Sequence, residues 1–152
     1  MMAMLKSLLW YRFLNEFFVY KVPPSKASAG HMRSARLVDY TTGKVLADEV
    51  KLANTFWRRF RGLIFRQNFC EGEALVFESK LRQQSIHTFF MMFPIDVIFL
   101  DSNFLVIEIC PKLKPWRIHR SKVKASYIIE LPAGTISHTN VKIRHKLALR
   151  KA

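Results

Sequence analysis

The sequence predicts a mostly β fold: a small antiparallel β-barrel or sandwich with one short amphipathic helix and an N-terminal helical extension. Three observations lead there. Beyond residue 33 the apolar residues come in short runs of strand length. Clusters of Gly, Pro, Asn, Asp and Ser separate those runs. Only one segment of that region, NTFWRRFRGLIFR, repeats its apolar residues at helical spacing.

Residues 1–33 read as an extension and linker, and residues 34–150 as the β-rich domain. The extension contains an apolar stretch, but Arg12, Asn15 and Glu16 interrupt it. No uncharged run there reaches the roughly 7–15 residues of a secretory core or the roughly 20 of a membrane span. No integral span is therefore expected. A leader ending at Ala27-Ser28-Ala29, or a peripheral anchor, is the weaker reading beside a helical extension packed on the domain or a partner. Cytoplasmic placement is favoured, with peripheral membrane and export as the alternatives.

Within the domain, residues 35–40 and 45–52 read as strands, joined by a turn at Thr41-Thr42-Gly43-Lys44 where glycine admits positive φ. A helix follows, capped by Asn54 or Thr55 and ending near residues 62–64. Phe56, Trp57, Phe60, Leu63 and Ile64 share its apolar face, with Arg59 at the edge. Residues 74–77 and 85–91 read as two further strands. Residues 96–100 and 104–110 flank Asp101-Ser102-Asn103, a strong hairpin signal, and their nearly continuous apolar content predicts burial on both faces. KLKPWRIHRSKVK reads as a basic loop. Residues 125–131 form a strand closed by Pro132-Ala133-Gly134, then a short turn leads to a last strand at 146–149.

Charge is uneven along the chain. Residues 111–152 contain eleven Lys and Arg against one Glu, whereas residues 1–110 contain fourteen against ten acids. The C-terminal part therefore attracts anions: phosphates, nucleic acid, anionic lipid or acidic proteins. Nucleic acid is the weaker of these, because the arginines of the predicted helix fit a solvated face. Cys70 and Cys110 form no metal-ligand spacing, and the histidines are scattered, so no metal and no cofactor is expected. Glycine-rich phosphate loops, nucleophile elbows and zinc-protease helices are all absent.

The chemistry-bearing residues cluster around SIHTFFMMFPIDVIFLD, residues 85–101. Asp96 lies inside an apolar run, and burying an ionised carboxylate needs a partner or a function. It reads either as a perturbed acid in a cleft or, preferably, as a buried acid paired with Arg59. His87 opens the run at a pocket mouth or at the core edge. Trp116 and Arg117 between them offer a stacking face and a cation. Glu130 reads as a strand carboxylate in a salt bridge. Candidate ligand contacts are thus His87, Asp96, Trp116 and Arg117; candidate structural residues are Arg59, Gly62, Asp96, Glu130 and Gly134.

These segments resemble a known family. Arg59, Gly62, Leu63 and Arg66, the block from Ile86 to Asp101, KPWR at 114–117 and YIIELPAGTI at 127–136 are similar, in order, to the elements of the domain of unknown function 192 family, also called uncharacterised protein family 0127. The resemblance spans roughly residues 36–147. It implies a small, mostly β domain with one or two short helices, and no activity. One place departs: the family's Gly-Asp pair before the last strand is Arg144-His145 here. Arginine for glycine predicts a different backbone at that turn. Histidine for the acid removes a carboxylate that the basic loop would otherwise face.

The leading functional reading is a non-catalytic binding or interaction module with a small polar site. The alternatives are a peripheral binder of an anionic polymer, nucleic acid or membrane surface, through the basic C-terminal part, and an enzyme using His87 with Asp96.

Overall fold

In the computed structural model, residues 35–53, 63–64 and 66–151 are described. The predicted N-terminal helix, the linker and most of the predicted 54–64 helix, with Arg59 and Gly62, lie outside them. Among these residues eight strands form two sheets, accompanied by one short helix. The strands are β1 (Ala35–Asp39), β2 (Val45–Ala47), β3 (Glu49–Leu52), β4 (Glu73–His87), β5 (Ile95–Leu100), β6 (Val106–Leu113), β7 (Ile118–Pro132) and β8 (Leu147–Lys151); the helix α1 is Thr135–Thr139. One sheet has the order β2-β1-β8, the other β3-β4-β7-β5-β6.

The predicted 45–52 strand breaks at Asp48, where the chain passes from the first sheet to the second. Gly72 marks the crossing, because its carbonyl accepts from the N–H groups of both Asp48 and Glu49 at 2.8 and 2.9 Å. β3 then pairs parallel with β4, while the other described pairings are antiparallel. Glu73, the first residue of β4, accepts from Lys51, from Arg66 and from the Cys70 N–H, which fastens the connection between these parallel strands to the sheet.

Burial explains the strand sequences. β5 is buried at all six positions. Ile98 and Leu100 face the core between the sheets, with Leu37, Val76, Ile129 and Leu147. Val97 and Phe99 face the opposite side, with Leu75, Phe77, Met91 and Ile128. A strand covered on both faces loses the alternation that marks a half-exposed one. The five-stranded sheet also curls. His119 on β7 meets Glu108 on β6 at 2.8 Å, and the Lys122 N–H donates to the other oxygen of Glu108 at 2.8 Å.

Three sequence expectations need correction. The strands predicted at 74–77 and 85–91 are one strand, β4, and residues 88–91 turn away from it. The basic loop is strand at both ends, with Lys112 and Leu113 closing β6 and β7 beginning at Ile118. Its cations Arg120, Lys122 and Lys124 are exposed at every second position, whereas His119, Ser121 and Val123 point inward. The short turn after Gly134 is α1.

The backbone at Arg144 differs from expectation as well. Arg144 holds φ 75°, the left-handed conformation that suits glycine, and its N–H donates to Val106 at 2.8 Å. The turn is kept and the arginine is strained in it. Arg144→Gly is expected to stabilise the fold by about 0.5–1 kcal/mol, the left-handed penalty less the backbone entropy of glycine. Urea unfolding should show a higher midpoint at unchanged slope. The histidine beside it has found its own partner: His145 Nδ1 lies 2.7 Å from Oδ2 of the buried Asp39.

Candidate functional site

Asp96 is the second residue of β5 and is fully buried. Its Oδ1 accepts from the Lys112 N–H at 2.8 Å. Its Oδ2 accepts from the N–H groups of Gly134 at 3.1 Å and Ile136 at 2.7 Å. The carboxylate thus ties three segments together: the start of β5, the end of β6 and the start of α1. Among the described residues these three backbone N–H groups are the hydrogen-bond partners of Asp96, and charge-assisted bonds of this kind satisfy a buried acid; Arg59, its expected partner, lies outside those residues. Gly134 enables this by adopting φ 100°, which lets its own N–H and that of Ile136 converge on one oxygen.

His87 is placed differently. It ends β4, exposed, with its ring stacked on Phe89 at 5.2 Å. No hydrogen bond or ion pair among the described residues joins it to Asp96. The arrangement gives no support to a His–Asp catalytic pair, which needs a carboxylate open to water or substrate.

His87 instead shares a rim with Trp116 and Arg117. Thr88, fully buried, is the clamp that builds it. Its N–H donates to the Arg117 carbonyl at 2.9 Å, and its carbonyl accepts from the Trp116 N–H at 3.0 Å. Its Oγ1 donates to the Lys114 carbonyl at 2.7 Å and accepts from the Arg117 N–H at 3.0 Å. One threonine thereby fixes the corner 114–117 against the end of β4. Phe90 and Trp116 stand side by side there, ring centroids 4.9 Å apart, edge to face. Both hold positive φ, 61° and 58°. Left-handed backbone at a bulky non-glycine residue costs on the order of 1–2 kcal/mol, and such strain concentrates at functional sites. Thr88 and Phe90 are not among the candidates that the sequence offers. Their one signal in it is a hydroxyl residue followed by two phenylalanines at a strand end.

Glu130 lies on β7 between Leu75 of β4 and Val97 of β5. It faces the apolar cluster of the curled sheet, and no hydrogen bond or ion pair reaches it among the described residues. The expected salt bridge is therefore not found there. Burial pushes its carboxyl up to about 7. Burial, with Glu108 and Asp96 nearby, also pushes up the Cys110 thiol on β6, and both cysteines are free. Among the described residues no three His, Cys, Asp or Glu side chains stand close enough to hold a metal ion. A groove of about 360 Å³ beside α1, lined by Ala47, Asp48, Thr135 and His138 among others, contains none of the candidate residues.

Fold and rim define a class: a small two-sheet β domain with a hydrogen-bonded aromatic and basic corner at one end of its larger sheet. The family follows from comparison. Residues 38–149 match the domain of unknown function 192 family, described as Uncharacterized ACR, and the chain belongs to that family. A UPF0127 protein of Thermococcus sibiricus is 44% identical over 108 residues, 70% of each chain. One from Pyrococcus horikoshii is 49% identical over 89 residues, 57% of this chain and 74% of its own. Two crystal structures share the fold at TM-score 0.66. One, from Sinorhizobium meliloti and described provisionally as a transcription regulator, is 24% identical, covering 75% of this chain and 90% of its own. The other, a protein of unknown function from Novosphingobium aromaticivorans, is 19% identical, covering 75% and 82%.

Proposed function

We propose that this domain is a non-catalytic binding module whose binding surface is the rim of His87, Trp116 and Arg117. The observation that carries the reading is the pair of exposed, strained aromatics, Phe90 and Trp116, in edge-to-face contact, with the Trp116 corner clamped by Thr88. A surface fixed in advance loses little conformational freedom on binding. Six exposed cations, from Lys112 to Lys124, follow in the same stretch of chain. No acid occurs between residues 109 and 129. That charge supports an anionic ligand. Asp96 is a structural support in this reading, and Glu130 is separate from it.

Heparin oligosaccharide serves as a generic anionic probe. Hydrogen exchange should slow at residues 87–92 and 114–120 when it binds. Trp116→Ser with Arg117→Ser should weaken binding about tenfold, the scale of losing one central contact. Protection confined to the other basic region, Lys142 to Lys151, would place the binding surface elsewhere and sink the proposal.

A further inference from the structure

Four large apolar side chains are exposed around this rim: Phe90 at 46%, Met92 at 76%, Trp116 at 53% and Ile118 at 62%. Phe90 and Met92 belong to the turn between β4 and β5, Trp116 to the corner between β6 and β7, and Ile118 to the first position of β7. The two segments touch through the Phe90–Trp116 ring contact, and Ile118 pairs with His87 across the strands. Isolated exposed apolar residues are ordinary, but a group of four on two clamped segments marks an interaction surface.

Lys112, Lys114, Arg117, Arg120, Lys122 and Lys124 flank this group, all exposed. None of them forms a salt bridge among the described residues, and the nearest acid along the chain, Glu108, is turned inward onto His119. Along β7 the exposed residues run Ile118, Arg120, Lys122 and Lys124, so the charge extends away from the apolar end along one strand face.

From this juxtaposition we infer that the corner docks on an anionic lipid surface. The inference rests on the rim being the binding surface and specifies its partner. Trp and Phe rings suit the headgroup boundary, and aliphatic side chains beside them enter the acyl edge. Lysines extend to anionic headgroups while their stems cover apolar surface. Single-stranded nucleic acid fits less well. Met92 and Ile118 offer no π face for a base, and the edge of one ring is set against the other in the Phe90–Trp116 pair.

The test uses the full chain, sedimented with vesicles of phosphatidylcholine alone and of phosphatidylcholine mixed with phosphatidylglycerol. Binding is expected only to the anionic vesicles, and it should fall steeply with added salt. Two variants are compared, each checked by thermal melting: Met92→Ser/Trp116→Ser/Ile118→Ser and Lys114→Glu/Arg120→Glu/Lys122→Glu. Each should lose about tenfold or more in partitioning. Unchanged binding by the apolar variant, or no vesicle binding by the wild-type chain, overturns the inference. A single-stranded oligonucleotide bound more tightly than vesicles, and lost in the apolar variant, overturns the lipid partner while leaving the rim as the binding surface. Rim variants that alter neither vesicle, oligonucleotide nor heparin binding overturn both.

Discussion

Asp96→Ala is expected to lower stability by about 4 kcal/mol, which places it in the extreme tail of single substitutions. Three backbone N–H groups, on Lys112, Gly134 and Ile136, lose one shared acceptor. A bond to an ionised group contributes about 1.5–3 kcal/mol, and a buried donor left unpaired adds its own desolvation cost, so even with water entering the loss remains large. For a domain of this size that corresponds to a fall in melting temperature of roughly 15 °C. Asp96→Asn keeps one oxygen but turns an amide NH₂ toward a backbone donor, so about 2–3 kcal/mol is expected. Amide exchange gives a second readout: the Lys112, Gly134 and Ile136 amides should lose protection first. A variant that stays fully stable yet no longer binds heparin would make Asp96 a ligand contact instead.

Lys112 connects this prediction to the rim. It ends the run that Asp96 pins, two residues before the Lys114 carbonyl that Thr88 holds. The buried carboxylate and the buried threonine therefore brace the same corner from two sides. Loosening either should blunt binding at Trp116 through loss of preorganisation rather than loss of contact. Asp96 thus belongs to the support of the proposed site.

Much of the frame is readable from residues whose chemistry acts locally. Asp101 Oδ1 accepts from the Asn103 and Leu105 N–H groups, so the turn announces itself through Asp, Ser and Asn. Asp39 does the same for the first hairpin through the Thr41 N–H and the Thr42 hydroxyl. The apolar run of β5 shows its burial directly. What stays hidden depends on backbone groups and on tertiary context. Asp96 has backbone partners, and no side-chain identity in the sequence marks a backbone N–H. The first half of β7 reads as loop because its cations and neighbouring prolines resemble loop composition, although its period of two is present throughout. Positive φ at Phe90, Trp116 and Arg144 is opaque for a related reason: none is a glycine, and the N–H groups of Trp116 and Arg144 are bonded to the distant carbonyls of Thr88 and Val106.

Glu130→Gln should stabilise the protein in alkaline conditions and leave it unchanged in acid. The folded-state value of about 7 stands above the carboxyl's ordinary 4.5. Between those values the native state holds a proton that the unfolded state has released, so this group's contribution is greatest below about 4.5, falls as pH rises through 7 and is flat beyond. Ionised Glu130 then costs up to about 3 kcal/mol at pH 8, an upper bound because partial exposure lets water relieve some of the penalty. Glutamine, nearly isosteric and neutral, carries no such penalty. Asp39 titrates in the opposite sense. Burial raises its carboxyl, but bonds from His145, Thr42 and the Thr41 N–H outweigh that and hold it below its ordinary 3.8. Its stabilisation is therefore present at neutral pH and lost only in strong acid. The two effects separate if the difference between variant and wild type, measured by urea unfolding, is followed from pH 4.5 to 8. A difference that grows with pH places an unpaired carboxyl in the apolar face of the curled sheet. A variant less stable than wild type at pH 8 would mean that a cation holds Glu130 ionised, and the titration near 7 would not occur.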